Sequence, residues 1–267
     1  MSIESPDPQQ SSDISVSAPA TPVTAPADVK PAPIAPVWHT LLITVLVLGN
    51  SFLGSSKLQG VGSGHGSRLL LYSGTFITEL VLFLLIWFGI RLHGVRMRDL
   101  ISGRCKTVED FLLDIGLAVG FLVVSLLLLF VLRMALGLID IHNLSKSQDE
   151  TMKVLGPLAP HSYLEAAFFV CLSISAGLFE EVIFRGYLQR QLHALANNAV
   201  IGIIASGIIF GLAHGYQGGR NMMVIAVFGI FFGILAHFRK SLRPGMIAHG
   251  LQDSLAGIAL FLLVRRH

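Results

Sequence analysis

The chain has 267 residues, of which 53% are hydrophobic and only 13% charged, with a mean hydropathy of +0.70. A soluble chain of this size carries about a quarter charged residues, so the deficit predicts a surface that faces lipid, where charges are costly. The net charge of +3 comes from Lys and Arg placed mostly between apolar runs, where they set topology; this excludes a nucleic-acid partner and leaves membrane lipid as the surroundings.

Residues 1–36 hold eight of the eleven prolines, with many Ser, Thr and Ala. Such a segment buries too little apolar surface to offset its ordering entropy and is expected to be a disordered tail. It lacks the basic start and early apolar stretch of a signal peptide.

Seven apolar runs follow: residues 38–53, 69–90, 111–136, 162–188, 199–214, 222–238 and 245–264. A helix of about 20 apolar residues spans a hydrocarbon core, and these runs lack the alternation of barrel strands. The fold expected is all-α: a polytopic transmembrane helix bundle of about seven spans behind the tail. Runs one and five are short, which suits tilted, buried or re-entrant helices. The organisation expected is a tail over 1–36, N-terminal helices and loops over 37–160, and a functional core over 161–267.

Between the first two runs, Gly60–Gly66 reads as a flexible turn, because no strand precedes it to make a phosphate loop. The pairs Gly207/Gly211 and Gly229/Gly233 read as close helix packing. Cys105 sits in a basic loop and Cys171 in an apolar run, so no disulfide is expected. With the N-terminus placed in the cytoplasm, inside segments carry 11 Lys and Arg and outside segments 8. The expected location is therefore the cell membrane, multi-pass, with the tail cytoplasmic.

An ionisable side chain inside a span needs a partner or a task. Glu79 stands alone in the second run and reads as a structural hydrogen bond or a helix-end residue. His161 and Glu165, at the start of the fourth, are expected at the interface. The stretch from Gly177 to Leu188 differs, because Glu180, Glu181 and Arg185 all lie in one apolar helix. Glu181 and Arg185, four apart, share a face and can pair. Glu180 points about 100° away and lacks a local counterion, so it is a candidate general base. Phe210 and His214 share a face in the fifth run. His249 and Asp253 share one in the seventh, a spacing that can orient an imidazole or build half a metal site.

These motifs resemble, in order, those of the CPBP intramembrane protease family: Glu180-Glu181-x-x-x-Arg185, Phe210-x-x-x-His214 and His249-x-x-x-Asp253. That family joins type II CAAX prenyl proteases with bacterial bacteriocin-processing and immunity proteins. The segment Phe184-Arg185-Gly186-Tyr187-Leu188 is similar to its usual continuation of the first motif, and the resemblance covers residues 175–257. It implies hydrolysis of a peptide bond in a membrane-associated or prenylated-type substrate. Glu180 would activate water with help from His214, Glu181 and Arg185 would hold the helix, and His249 with residue 253 would stabilise the oxyanion. The prenyl proteases usually carry Asn at the last position. Asp253 donates only when protonated, so it either orients His249 or binds a metal.

Two mechanisms stay open. One is metal-free, with Glu180 as base and His249 as electrostatic stabiliser. In the other, His214, His249, Asp253 and Glu180 supply the ligands of a Zn²⁺ site. Rival functions are a non-proteolytic immunity or scaffold protein of the same fold, and an ion or proton transporter. The transporter needs further intramembrane acids, for which Glu79 is the candidate. One geometric tension stands. If the fourth helix ends at residue 188, Glu180 and His249 lie roughly 9–14 Å from one membrane face, whereas His214 falls near the other.

Overall fold

In the computed structural model, residues 31–59, 65–103 and 107–265 are described; most of the tail and the tip of the glycine loop at 60–64 lie outside them. Among the described residues the regular structure is helical: α1 (Val37–Gln59), α2 (His65–Arg91), α3 (Met97–Ile101), α4 (Val108–Ala135), α5 (Leu144–Leu155), α6 (Tyr163–Glu181), α7 (Gln189–Ala196), α8 (Ala199–Ala213), α9 (Gly219–Arg239) and α10 (Arg243–Val264). Helices α6 and α7 are joined without a break by a π-helical stretch, Val182–Leu188.

Five helices are long and apolar enough to cross a membrane: 68–91, 108–135, 163–196, 219–239 and 243–264. Two shorter apolar helices, Val37–Phe52 and Ala199–Ala213, account for the first and fifth runs. The outward faces are those of a lipid-solvated protein. In α4, Leu127 and Val131 are each 63% exposed, without polar neighbours on the same stripe.

Helix ends follow local chemistry. Thr107 caps α4 by accepting from Asp110 N (3.2 Å), and Asp110 reaches back to Thr107 N (3.4 Å). Asn197 takes the left-handed conformation (φ 51°) that ends α7. Asn198 then caps α8 by accepting from Val200 N (2.8 Å) and Ile201 N (3.2 Å). The Asn-Asn pair thus makes the whole α7–α8 turn.

That turn resolves the geometric tension. The fourth apolar helix does not end at residue 188 but runs unbroken to Ala196, 34 residues in all. Glu180 stands 17 residues before Asn197, and His214 stands 16 residues after Asn198. Antiparallel pairing of α8 along α7 and the π-helix therefore brings both to one depth. Ser206 Oγ donates to Phe184 O (2.7 Å) partway along this pairing.

The glycine pairs pack helices as expected. A Cβ on Gly207 would lie 2.8 Å from Ile230 N, and one on Gly211 would lie 2.6 Å from Met222 O. On α9, Gly229 lies against Gly207, and Gly233 against the side chain of Gln189. Another close crossing joins α6 to α10, where a Cβ on Gly177 would come within 2.6 Å of Gly250 N.

Helix α1 is held against the π-helix by polar contacts. His39 Nδ1 and Tyr187 Oη are 2.7 Å apart, and His39 Nε2 faces Leu85 O at 3.0 Å. Residues 31–36, grouped with the tail on composition, are seated on the core. Ile34 N donates to Gln191 Oε1 (2.9 Å), and Gln191 Nε2 donates to Ala35 O (2.6 Å). Pairing these backbone groups with a buried amide offsets the entropy that proline-rich composition alone would leave uncompensated.

One expectation fails here. Glu165 does not face the interface: it is fully buried, accepts from His161 N (2.6 Å) and lies 4.0 Å from Arg68. Burial with donors at a helix N-terminus suits a carboxylate better than its position in sequence suggests. Asp114, inside the third apolar run, is likewise fully buried and paired with Arg239 and Arg243. Cys171 is a free, exposed thiol; Cys105 lies outside the described residues.

Candidate active site

The first motif straddles the junction of α6 and the π-helix. A π turn widens the helix, and such turns recur at functional sites. Here it lies directly after the two glutamates, and all of its side chains are buried. Glu181 Oε1 and Arg185 Nη1 form an ion pair at 3.0 Å, and neither side chain is exposed. The pairing expected from the i, i+4 spacing is present. Arg185 Nη2 also donates to Gly229 O (3.0 Å). The guanidinium lies 4.4 Å from the Phe210 ring centroid and 5.0 Å from that of Phe232, an aromatic cradle for a cation out of water.

Helix α10 adds His249. Its Nδ1 donates to Glu181 Oε1 at 3.2 Å, so one carboxylate oxygen clamps both the imidazole and the guanidinium. Its Nε2 lies 3.7 Å from Glu180 Oε2 and 3.5 Å from Asp253 Oδ2. The ring packs edge-on to Phe210 (5.8 Å between centroids) and against Phe232 (5.3 Å). Phe210 thus touches the groups of all three motifs. It lies against Phe184, Arg185, His214 and His249.

His214 sits where α8 ends. Its Nδ1 donates to Phe210 O at 2.9 Å, which fixes the ring and leaves Nε2 for a ligand. Glu180 and His214 line one cavity of about 140 Å³, whose other walls come from α1, α2 and Tyr216. Glu181 and Arg185 do not line it. The adjacent glutamates are thus separated in surroundings as their 100° offset predicts. Glu181 is sealed within the helix contacts, whereas Glu180 is 17% exposed on the cavity side.

The six residues singled out in the sequence are therefore brought together: Glu181 hydrogen-bonded to His249 and ion-paired with Arg185, with Glu180 and Asp253 at the far nitrogen of His249 and His214 across the cavity. Two lining groups escaped sequence reasoning. Glu79, read there as solitary, shares the cavity wall with Glu180, and so does Tyr216. Only the α2–α6 packing reveals the first, because the two glutamates are about a hundred residues apart. Tyr216 lies two residues beyond the second motif, and that proximity was the available signal.

The Zn²⁺ site read in the sequence would draw on His214, His249, Asp253 and Glu180. Among the described residues, no group of three or more His, Cys, Asp or Glu side chains is arranged to hold one metal ion.

Residues 162–255 match the family model described as Type II CAAX prenyl endopeptidase Rce1-like, a segment that contains all three motifs. No curated protein and no solved structure matches the chain. The match supports the family recognised from the motifs, a membrane setting and a CAAX-type protease kind of function.

Proposed function

We propose, from the premise that residues 162–255 are a CAAX-protease-family segment, that this chain is an intramembrane endopeptidase working through a water activated by Glu180. The observation that carries the reading is the convergence of Glu180 and His214 on one cavity, with His249 Nε2 3.7 Å from the Glu180 carboxylate.

Each group then has a role its surroundings support. Water in the cavity loses a proton to Glu180 and attacks the scissile carbonyl. His214, fixed through Nδ1 to Phe210 O, offers Nε2 to position that water. His249 faces the site with Nε2 and stabilises charge developing on the carbonyl oxygen. Glu181 holds His249 through Nδ1, and Arg185 holds Glu181, so the imidazole is oriented before substrate arrives. Asp253, beside Nε2, orients the same ring. The proton on Glu180 passes to the leaving amine as the C–N bond breaks.

The substrate class proposed is a membrane-associated or prenylated-type peptide, since the cavity is walled by apolar helices. The decisive comparison is between membranes containing wild type and Glu180→Gln. A cleaved membrane peptide should appear only with wild type. Equal product from both would end the general-base assignment; no product from either would favour a non-proteolytic protein of the same fold.

A further inference from the structure

Three carboxyl groups gather around the cavity and its edge: Glu79, Glu180 and Asp253. Glu180 is the proposed base, and Asp253 contacts His249. Glu79 has no such duty, and it comes from α2, outside the segment that matches the family model.

Its position is fixed by packing. Phe76 and Phe83 of α2 both lie against Phe179, at 5.9 and 5.2 Å between centroids. Residues 76, 79 and 83 share a helical face, so Glu79 is held between these contacts, level with Phe179 and Glu180. It is only 7% exposed, it lines the cavity, and its Oε2 has no hydrogen-bond partner. A buried carboxyl oxygen left unpaired is costly unless something arrives to pair it.

Among the described residues, no Lys or Arg side chain does so, and none lines this cavity. Arg185 faces Glu181 behind the cavity wall, and Arg68 lies beside Glu165. The hydroxyls that flank Glu79 are satisfied by their own helix: Thr75 donates to Leu71 O and Thr78 to Gly74 O. A buried acid on an acidic wall without a resident counterion suits a cation brought by the ligand.

We propose that Glu79 is a specificity residue that receives a cationic side chain of the substrate, selecting peptides with Lys or Arg close to the scissile bond. This rests on the peptidase reading above. In a site screened from water, a close charge pair discriminates by about tenfold or more against a neutral side chain of the same length.

The test uses the full chain in lipid nanodiscs and a library of lipid-anchored, internally quenched peptides. Lys, norleucine or Glu is placed in turn at each position around the bond. Wild type should cleave the best Lys peptide at least about tenfold faster than its norleucine twin. Glu79→Gln should bring that ratio close to one while still cleaving the norleucine peptide, chiefly through a raised KM for the Lys peptide. Asp149→Asn, which removes an exposed acid on α5, should keep the wild-type ratio. The ratio is internal to each preparation, so partial misfolding lowers both rates and leaves it intact; Glu79→Met supplies a second, apolar variant. Glu180-dependent cleavage without a Lys preference, or a preference that survives both Glu79 variants, overturns the inference and leaves the peptidase reading standing. Absence of Glu180-dependent cleavage across the whole library overturns both.

Discussion

Asp114 and Glu181 are both buried carboxylates that meet arginines, and their surroundings differ in one respect. Asp114 of α4 is matched by two guanidiniums: Arg239 donates to Oδ1 (2.9 and 3.2 Å) and Arg243 to Oδ2 (2.7 Å). Both acceptor atoms are occupied, and the cluster ties α4 to α9 and α10. Around His249 the balance is reversed. Among the described residues Arg185 is the one guanidinium ion-paired with this group of carboxylates, and its partner is Glu181. Glu180 Oε2 has no hydrogen-bond partner and faces a cavity. A saturated cluster is a fastener; an unsaturated one beside a cavity has valence left for a ligand.

Substitutions sharpen this contrast. The largest expected effect is on turnover: Glu180→Gln should lower the rate about 10²–10⁴-fold while thermal stability in detergent stays near wild type. Arg185→Ala should lower stability by about 3–5 kcal/mol, because it leaves Glu181 buried without its cation, and activity should fall with it. A melting temperature equal to wild type would show that Glu181 and His249 hold each other unaided. Asp114→Ala should destabilise less, about 1.5–3 kcal/mol, since the freed arginines are 22–25% exposed and reach water. Its turnover per folded molecule should be unchanged, and a selective loss of turnover would break the distinction between the two clusters. Asp253→Asn keeps shape and an acceptor beside His249, so activity should stay within about tenfold of wild type. Smallest of all, exhaustive chelation should leave activity unaltered, with elemental analysis confirming metal depletion. Loss of activity restored by Zn²⁺ would return His214, His249, Asp253 and Glu180 to the role of ligands.

Much of this was legible in the sequence because lipid simplifies the code. Each apolar run became a helix, although the fourth runs eight residues past its expected end, and Glu181 found Arg185 because i, i+4 geometry is local. What stayed hidden depends on winding or on long-range packing. Nothing in Val182–Leu188 announces a π-helix, and the polar stretch Gln189–Ala196 read as a loop when it is a continuation of the fourth helix. That misreading alone created the apparent separation of Glu180 and His214. Asp114 escaped notice inside an apolar run, since its partners lie 125 and 129 residues away. Glu79 read as solitary for the same reason: its neighbours are across a helix interface, not along the chain.

The unbroken helix from Tyr163 to Ala196 has a further consequence. At 1.5 Å per residue it is about 51 Å long, well beyond a hydrocarbon core of about 30 Å. It must tilt or emerge, and its last two turns, with Gln189, Arg190, Gln191 and His193, are suited to the headgroup zone. From Glu180 to that polar end is about 25 Å of stiff rod. On the proposed peptidase reading the protein carries its own ruler: helix length would set the height at which a chain is cut, and a thicker or thinner bilayer would change which part of a substrate comes level with Glu180.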